Sequence, residues 1–197
     1  MVSEHQHILI DASGIKIYGE GEWKVKMHGK TKRRTWRKLH ISIDAKTQEI
    51  IVAKTTLSSV HDSCVLPDLI SPFKSCSQIS ADGAYDTHAC YEAVLKKQAQ
   101  PNFPPRMNAN LNKPTDQAWR LRNHAIMQVR YKGLKTWKKD TNYHRRSLAE
   151  TAFSRLKKLF GHHANNKKLD HQSTELLLRC QLLNRMSQLG MPKTVAC

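Results

Sequence analysis

Three acidic residues, Asp11, Asp82 and Glu150, have the chemistry expected of ligands for divalent cations. Asp11 and Asp82 each follow a short apolar run typical of a strand, HILI and SQISA, and each has a glycine within three residues. Mg²⁺ prefers carboxylate oxygens, and two such cations ~3.5–4 Å apart promote phosphoryl transfer. Because an aspartate after a strand is more often a turn-former or a helix cap, these two residues alone leave both interpretations open.

Glu150 lies in a segment with helical spacing of charged residues. Tyr143, Arg146, Glu150 and Lys157 stand at i, i+3, i+7 and i+14, which places them within an arc of roughly 60° if the helix reaches back to Tyr143. The opposite side is apolar and comprises Leu148, Ala149, Ala152, Phe153, Leu156, Leu159 and Phe160. The pattern is compatible with an ordinary solvated helix face and with a carboxylate flanked by phosphate-binding cations.

The elements that must position these residues alternate between strand and helix patterns. We predict strand, strand, strand, helix, strand, helix, with the second and third strands forming a hairpin across 45–48. The segments are 7–10 ending at Asp11, 39–44, 49–56, 63–70 capped by Ser63 with Pro67 in its first turn, 77–81, and a helix capped by Asp86 or Thr87 that runs to about Gln98.

The remainder of the chain changes in composition. Prolines between 101 and 114 predict a loop, followed by a basic helix over Trp119–Tyr131. A helix from Ser147 or earlier to Phe160 ends at Gly161, and another, capped by Ser173 or Thr174, ends at Leu189. We therefore divide the chain into a first core part (1–100), a basic insertion (101–142), two C-terminal helices (143–190) and a tail (191–197).

The charge of the chain points to a polyanionic partner. Lys and Arg number 33 against 16 Asp and Glu, a formal net charge of +17, and nucleic acid fits because phosphate contacts release counterions. A solubilising excess of charge, or a ribosome-type protein, is the alternative. With 39% hydrophobic residues, five widely spaced cysteines and no apolar run of ~20 residues, we expect a globular, soluble, intracellular protein without a disulfide framework.

Two stretches concentrate the positive charge. Residues 23–38 contain no acidic residue and have a tryptophan near each end, which favours a DNA-backbone surface over a solvated loop or edge hairpin. The predicted contacts there are Lys32, Arg33, Arg34, Trp36 and Arg37. A second basic stretch, 120–139, has aromatic residues interleaved.

Other titratable residues are better interpreted as structural. His61, Cys64, His88 and Cys90 match no zinc-ligand spacing, so packed thiols are favoured over a metal site. His61-Asp62 is predicted to be a turn and helix start rather than an acid–base pair, and Asp44 is predicted to be a hairpin-turn residue.

The motifs also resemble a known family. YHRRSLAETAFSRLK matches the Tyr-x2-Arg-x3-Glu-x6-Lys signature of bacterial insertion-sequence transposases of the Asp-Asp-Glu type, and LIDASG and SADGAYD look like their two Asp motifs. YGEGEWKVKMHGKTKRRTWRKLH, VHDSCVLPDL, ADGAYDT and LNRMSQLGMP resemble the insertion-sequence-5 family, in the same order along nearly the whole chain.

The resemblance implies an α/β fold of the ribonuclease H-like, retroviral integrase-like kind, with a mixed sheet flanked by helices and an inserted basic segment. It implies that Asp11, Asp82 and Glu150 bind Mg²⁺, with Mn²⁺ as substitute, and that Tyr143, Arg146 and Lys157 act at the DNA end. The implied function is metal-dependent DNA strand cleavage and transfer in a bacterial cytoplasm, at the nucleoid. The implied partners are element ends, target DNA and further transposase subunits.

The pattern departs from the family at its start. Relatives usually carry a DNA-recognition region before the first Asp motif, whereas only ten residues precede Asp11, so we expect that region to be absent. Alternatives to an active transposase are therefore a non-catalytic DNA-binding remnant, or an inhibitor that pairs with full-length transposase. A general ribonuclease H-like nuclease is a third interpretation.

Overall fold

A six-stranded mixed sheet forms the centre of the protein in the computed structural model, which describes residues 5–17 and 36–190. The strands are β1 His5–Ile17, β2 Trp36–Asp44, β3 Ile50–Leu57, β4 Cys76–Ser80, β5 Gln100–Asn102 and β6 His163–Ala164. The helices are α1 Asp62–Ile70, α2 His88–Leu95, α3 Gln117–Lys132, α4 Leu134–Asp140, α5 Ser147–Phe160 and α6 Leu169–Gln188, with 3₁₀ turns at Gly83–Tyr85 and Tyr143–Arg146. The strand order is β3-β2-β1-β4-β5, with β6 beside β1.

Strand β1 is the central element of this sheet. It pairs antiparallel with β2 from Ile8 opposite Asp44 to Lys16 opposite Trp36, and parallel with β4 and β6. The prediction that the first strand ends at Asp11 is wrong: Asp11 lies within β1, opposite Ile41, and the strand continues to Ile17. The strand continues because β2 supplies hydrogen-bonding partners well beyond the apolar run, which is a non-local effect.

The two faces of the sheet bury separate hydrophobic cores. Alternation along β1 sends Ile8 and Ile10 to one face and Leu9 and Ile15 to the other. The first core contains buried residues of α1 and α2, and the second contains buried residues of α5 and α6. The sheet is thus flanked by helices on both faces, and the order of three strands, helix, strand, helix is confirmed.

Two predicted helix starts need correction. Helix α1 begins at Asp62 after His61, with no side-chain cap from Ser63, and Pro67 lies inside it. Helix α6 begins at Leu169, before Ser173 and Thr174. The hydroxyls of these two residues donate to the carbonyls of Leu169 and Asp170, four residues earlier. Ser and Thr can make such bonds inside helices as well as cap them, so their presence alone does not fix the helix start.

The segment 101–142 is more ordered than the predicted loop. The basic helix over 119–131 is confirmed as α3, whose first turn is capped by Asp116 through the backbone N–H of Trp119 at 2.9 Å. Helix α4 was not predicted; its Trp137 is only 3% exposed. The insertion therefore packs onto the edge of the sheet instead of extending from it.

The sequence predicts neither a membrane span nor a disulfide framework. None of the helices in residues 5–17 and 36–190 combines the length and apolar character that a bilayer crossing requires. Among the described cysteines, Cys64, Cys76, Cys90 and Cys180 are free thiols.

Candidate active site

Asp11 and Asp82 lie side by side because of the pairing between β1 and β4. Leu9 is opposite Ser80 in this parallel pair, and the same register continued by two residues brings Asp11 level with Asp82. Asp11 is buried, at 8% exposure, and its Oδ1 accepts from the backbone N–H of Ala12 at 3.0 Å. Asp82 Oδ1 accepts from the N–H of Ala84 at 2.8 Å, so this aspartate also caps the turn that follows it.

Glu150 lies on α5, and Arg146 bridges its side chain to that of Asp11. One guanidinium nitrogen of Arg146 donates to Glu150 Oε1, and the other lies 3.3 Å from Asp11 Oδ1. Helix α5 begins only at Ser147, and the preceding residues form a 3₁₀ turn. The predicted helix from Ser147 to Phe160 is therefore confirmed, whereas the condition for one shared face, an α-helix reaching back to Tyr143, is not met, although Arg146 and Glu150 do make contact.

The charges of these residues are strongly coupled. Burial raises the pKa of Asp11, the positive charge of Arg146 and the Ala12 hydrogen bond lower it, and the negative charges of Asp82 and Glu150 raise it further. Burial by itself lowers the pKa of Arg146, but the surrounding Asp11, Tyr143, Glu150 and Asp82 raise it overall. All three predicted carboxylates therefore act electrostatically on a single guanidinium.

The three carboxylates have the chemistry of cation ligands, but their side chains are not arranged around one ion. Within residues 5–17 and 36–190, no group of three or more His, Cys, Asp or Glu side chains is placed to hold a metal ion. The guanidinium of Arg146 lies between Asp11 and Glu150. Hard carboxylate oxygens that already converge on a positive charge fit a divalent cation such as Mg²⁺.

A cavity of about 310 Å³ adjoins the carboxylates. Its lining residues are Asp11, Ala12, Ser13, Glu150, Phe153, Ser154 and Lys157. Lys157 Nζ lies 2.7 Å from Ser13 Oγ, so its positive charge is held over the strand that carries Asp11. Ser13 was not singled out from the sequence, although it is two residues from Asp11 and therefore on the same strand face.

Tyr143 is placed differently from a DNA-stacking side chain. It is 8% exposed, and its ring centroid lies 5.7 Å from that of Trp137, with Lys138 Nζ 5.4 Å from the ring. Burial, opposed by the positive charge of Arg146, raises the pKa of the phenol to about 12. The ring anchors the 3₁₀ turn that carries Arg146, and its predicted role at the DNA end remains a prediction.

The predicted basic patch is only partly within the described residues. Lys32, Arg33 and Arg34 lie outside them. Trp36 is 36% exposed, with Lys16 Nζ 5.7 Å from its ring, while Arg37 Nε donates to Gln172 Oε1 at 2.9 Å. Trp36 pairs with Lys16, which is five residues and therefore about 16 Å along β1 from Asp11. The described part of the patch, Trp36 and Arg37, therefore lies on β2 beside a part of β1 that is distant from Asp11.

The remaining sequence candidates have structural partners. Asp62 Oδ1 accepts from Lys38 Nζ at 3.0 Å, and Asp44 Oδ1 accepts from the N–H groups of Lys46 and Thr47. The structural interpretation of both aspartates is confirmed. His88 pairs with Asp116 at 2.7 Å, and the Cys90 thiol contacts the Ser63 carbonyl at 3.5 Å. His88 and Cys90 therefore have protein partners of their own.

Comparisons with known proteins place this geometry in a family. Residues 2–185 match the model of the family described as "Transposase DDE domain". Among solved structures, the fold is similar to a chain in "Cryo-EM structure of piggyBac transposase synaptic complex with hairpin DNA", with a TM-score of 0.52 and 10% sequence identity. The similarity covers 98% of this chain and 50% of the other, so the chain spans about half the length of that structure.

Proposed function

The chain belongs to the transposase DDE domain family, and from that membership we propose that it is the catalytic domain of a transposase that cuts and joins DNA strands with the help of divalent metal ions. The observation that carries the proposal is the placement of Asp11, Asp82 and Glu150. They come from β1, the end of β4 and α5, far apart in sequence, and all three act on one guanidinium.

The proposed roles of the side chains follow from their chemistry. Asp11, Asp82 and Glu150 would hold Mg²⁺, or Mn²⁺ in its place, and the bound ions would activate the attacking oxygen and stabilise the leaving oxygen. The positive charge of Arg146 opposes the rise that burial causes in the pKa of Asp11 and so favours the ionised form that a metal ligand needs. Its planar fork also suits a phosphate, which binds such a fork bidentately.

Lys157 provides the second positive charge of the site. Its ammonium lies beside Ser13 at the rim of the cavity that Asp11 and Glu150 line. A DNA phosphate entering this cavity would meet the Lys157 ammonium and the Ser13 hydroxyl on one side and the carboxylates on the other. We infer that these two residues orient the phosphate, while Phe153 contributes an apolar part of the cavity lining.

Finer assignments belong to the same proposal. We propose a ribonuclease H-like fold, membership of the insertion-sequence-5 group and a function in moving a bacterial insertion sequence in the cytoplasm. The DNA ends and the target are the proposed partners, bound by more than one transposase subunit. The mixed sheet flanked by helices and the similarity to a transposase structure support the fold, and the order of the motifs supports the group.

The decisive experiment measures DNA cleavage and joining. Purified protein is incubated with labelled DNA that carries the element ends and with Mg²⁺ or Mn²⁺, and cleaved and joined products are counted. We expect Asp11→Asn, Asp82→Asn and Glu150→Gln each to reduce product at least about 100-fold, since each removes a charged ligand. The control Asp68→Asn alters an exposed acidic residue paired with Lys54 and should retain wild-type product.

Two results would contradict the proposal. Cleavage that persists in all three carboxylate variants would place the chemistry elsewhere. Metal-independent DNA binding without any cleavage would favour a non-catalytic DNA-binding protein or an inhibitor of an active transposase.

A further inference from the structure

The turn after Asp82 is short and fixed at both ends. Its three residues, Gly83–Tyr85, form a 3₁₀ turn that Asp82 caps through the Ala84 N–H. Asp86 closes the turn, and its own N–H donates to the Gly83 carbonyl at 3.3 Å. Because so few residues separate the two aspartates, the position of Asp86 constrains the position of Asp82.

Asp86 is held by an arginine from the insertion. Its side chain is fully buried, and its two oxygens accept from Arg122 Nε at 2.9 Å and Arg122 Nη2 at 3.0 Å. Two parallel bonds from a planar fork fix orientation as well as distance. Arg122 belongs to α3, so the turn that carries Asp82 is tied directly to the insertion.

Arg122 is itself immobilised by further contacts. Its Nη1 donates to the Asn110 carbonyl at 3.2 Å and to Asn112 Oδ1 at 2.9 Å. The centre of its guanidinium lies 5.7 Å from the ring of Trp119. Because moving the Arg122 guanidinium would break several contacts at once, its position is fixed.

The other side of the turn is held by Arg106. Its side chain donates to the carbonyls of Gly83 at 3.2 Å and Ala84 at 3.3 Å, and its backbone N–H donates to Asp86 Oδ2 at 3.3 Å. A Cβ at Gly83 would lie 3.3 Å from the Pro104 carbonyl oxygen, which leaves little free space there. The insertion therefore encloses the turn from two directions.

From these contacts we propose that Arg122, acting through Asp86, is a positioning residue that holds Asp82 where a divalent cation binds. The inference rests on the proposed function. A buried ion pair adds little net stability, and apolar residues of similar size often replace one without loss. The charged fork adds a fixed geometry, and residues that orient a metal ligand in this way typically change metal affinity 10- to 100-fold when replaced.

The test measures Mn²⁺ affinity, by calorimetry and by the electron paramagnetic resonance signal of bound Mn²⁺, on the full chain. We expect Arg122→Met to weaken Mn²⁺ binding at least about 10-fold, because Asp86 loses its fork. Since this variant leaves a buried carboxylate unpaired and can lose its fold, Arg122→Lys is measured as well. Lysine keeps the charge but offers no planar fork, so we expect the same direction of change in a folded protein.

A matched control separates positioning from general destabilisation. Arg179 pairs with Glu175 on α6, and both side chains are nearly as buried as those of the Arg122 pair. Arg179→Met should lower the unfolding temperature and leave Mn²⁺ affinity unchanged. A folded Arg122→Lys variant with wild-type Mn²⁺ affinity would overturn the inference.

The reference variant Asp82→Asn keeps the two hypotheses apart. If wild-type protein binds Mn²⁺ and Asp82→Asn weakens that binding, the proposed site stands and the Arg122 variants decide the positioning role. If Asp82→Asn binds Mn²⁺ as wild type does, the proposed function fails first, and the positioning role fails with it.

Discussion

Arg146 offsets the negative charge of the carboxylates that surround it. Asp11 is buried and carries negative neighbours, a combination that disfavours its ionised form. The guanidinium of Arg146 opposes this effect by contacting Asp11 and Glu150 at the same time. A lysine at this position would present one compact ammonium, which has no planar fork to span both carboxylates. The identity of this cation, and not only its charge, therefore matters for the site.

His7 is a buried histidine whose lowered pKa makes the stability of the protein depend on pH. It lies on β1 with its Nε2 2.8 Å from Ser80 Oγ. The pKa of His7 is lowered to about 4, chiefly by burial and also by the positive charge of Arg145, while the negative charge of Asp44 opposes the change. Because the folded state disfavours the charged ring, the stability contributed by neutral His7 is present above pH 6.5 and is lost as the pH falls from 6.5 towards 4.

We expect the unfolding free energy of the wild type to decrease by about 3 kcal/mol across this window because of His7, from about 1.4 kcal/mol for each unit of pKa difference. The variant His7→Gln should lose this part of the decrease, as measured by urea unfolding at pH 7, 6, 5 and 4. His171→Gln, which alters an exposed histidine, serves as control and should follow the wild type. Equal pH dependence in wild type and His7→Gln would contradict this explanation.

At the scale of elements, α5 carries the third carboxylate and is attached through its apolar face. Ala149, Ala152, Phe153 and Leu156 are buried against the sheet, and Phe153 also lines the site cavity. The small alanines allow the helix to lie close to β1, so that Glu150 reaches the same guanidinium as Asp11. The attachment of this helix therefore sets the position of Glu150.

We expect Phe153→Ala to lower the unfolding free energy by about 3–5 kcal/mol, the usual cost of removing a buried phenyl ring. Leu159 on the same helix is 47% exposed, and Leu159→Ala should change stability by no more than about 0.5 kcal/mol. The measurement is the urea unfolding midpoint of both variants. Equal losses in the two variants would show that α5 is not anchored through its Phe153 face.

Some of these elements were predictable because their signals are local. Period-two alternation and the Asp44 turn predict the hairpin of β2 and β3, and the glycine at 161 predicts the end of α5. Asp82 was predictable as a residue at the end of a strand, because the apolar run before it is short and bounded. These features depend on residues that are close in the sequence.

The features that were not predictable depend on distant residues. The length of β1 is set by its pairing with β2, and the 3₁₀ turn that precedes α5 is fixed by the packing of Tyr143 on Trp137. The pair of Asp86 and Arg122 joins residues 36 positions apart. Asp86 was assigned as an alternative helix cap because its spacing to Thr87 and α2 fits that role, and nothing local indicates a partner in the insertion.

On the scale of the whole molecule, the excess positive charge extends well beyond the site, which itself contains Arg146 and Lys157. The chain has a net charge of +17, whereas the carboxylates form a local negative centre. Helix α4 leads into the 3₁₀ turn that carries Arg146, and its Lys135, Lys138 and Lys139 belong to one basic stretch. A nucleic acid held by such a surface would present a phosphate to the carboxylates.

This distribution predicts a specific salt dependence of DNA binding. Each phosphate neutralised by a lysine or arginine contributes about 0.9 to the slope of log affinity against log salt concentration. Replacing Lys135, Lys138 and Lys139 by glutamine should therefore reduce the slope by up to about 2.7, if all three contact phosphates. The measurement is fluorescence anisotropy with duplex DNA between about 50 and 200 mM salt, in the absence of divalent metal. The matched control replaces Lys46, Lys74 and Lys113, which are exposed and lie outside the insertion helices, by glutamine. Both triple variants lose the same net charge, so a general electrostatic attraction would reduce both slopes equally, whereas a bound surface on α4 reduces only the first.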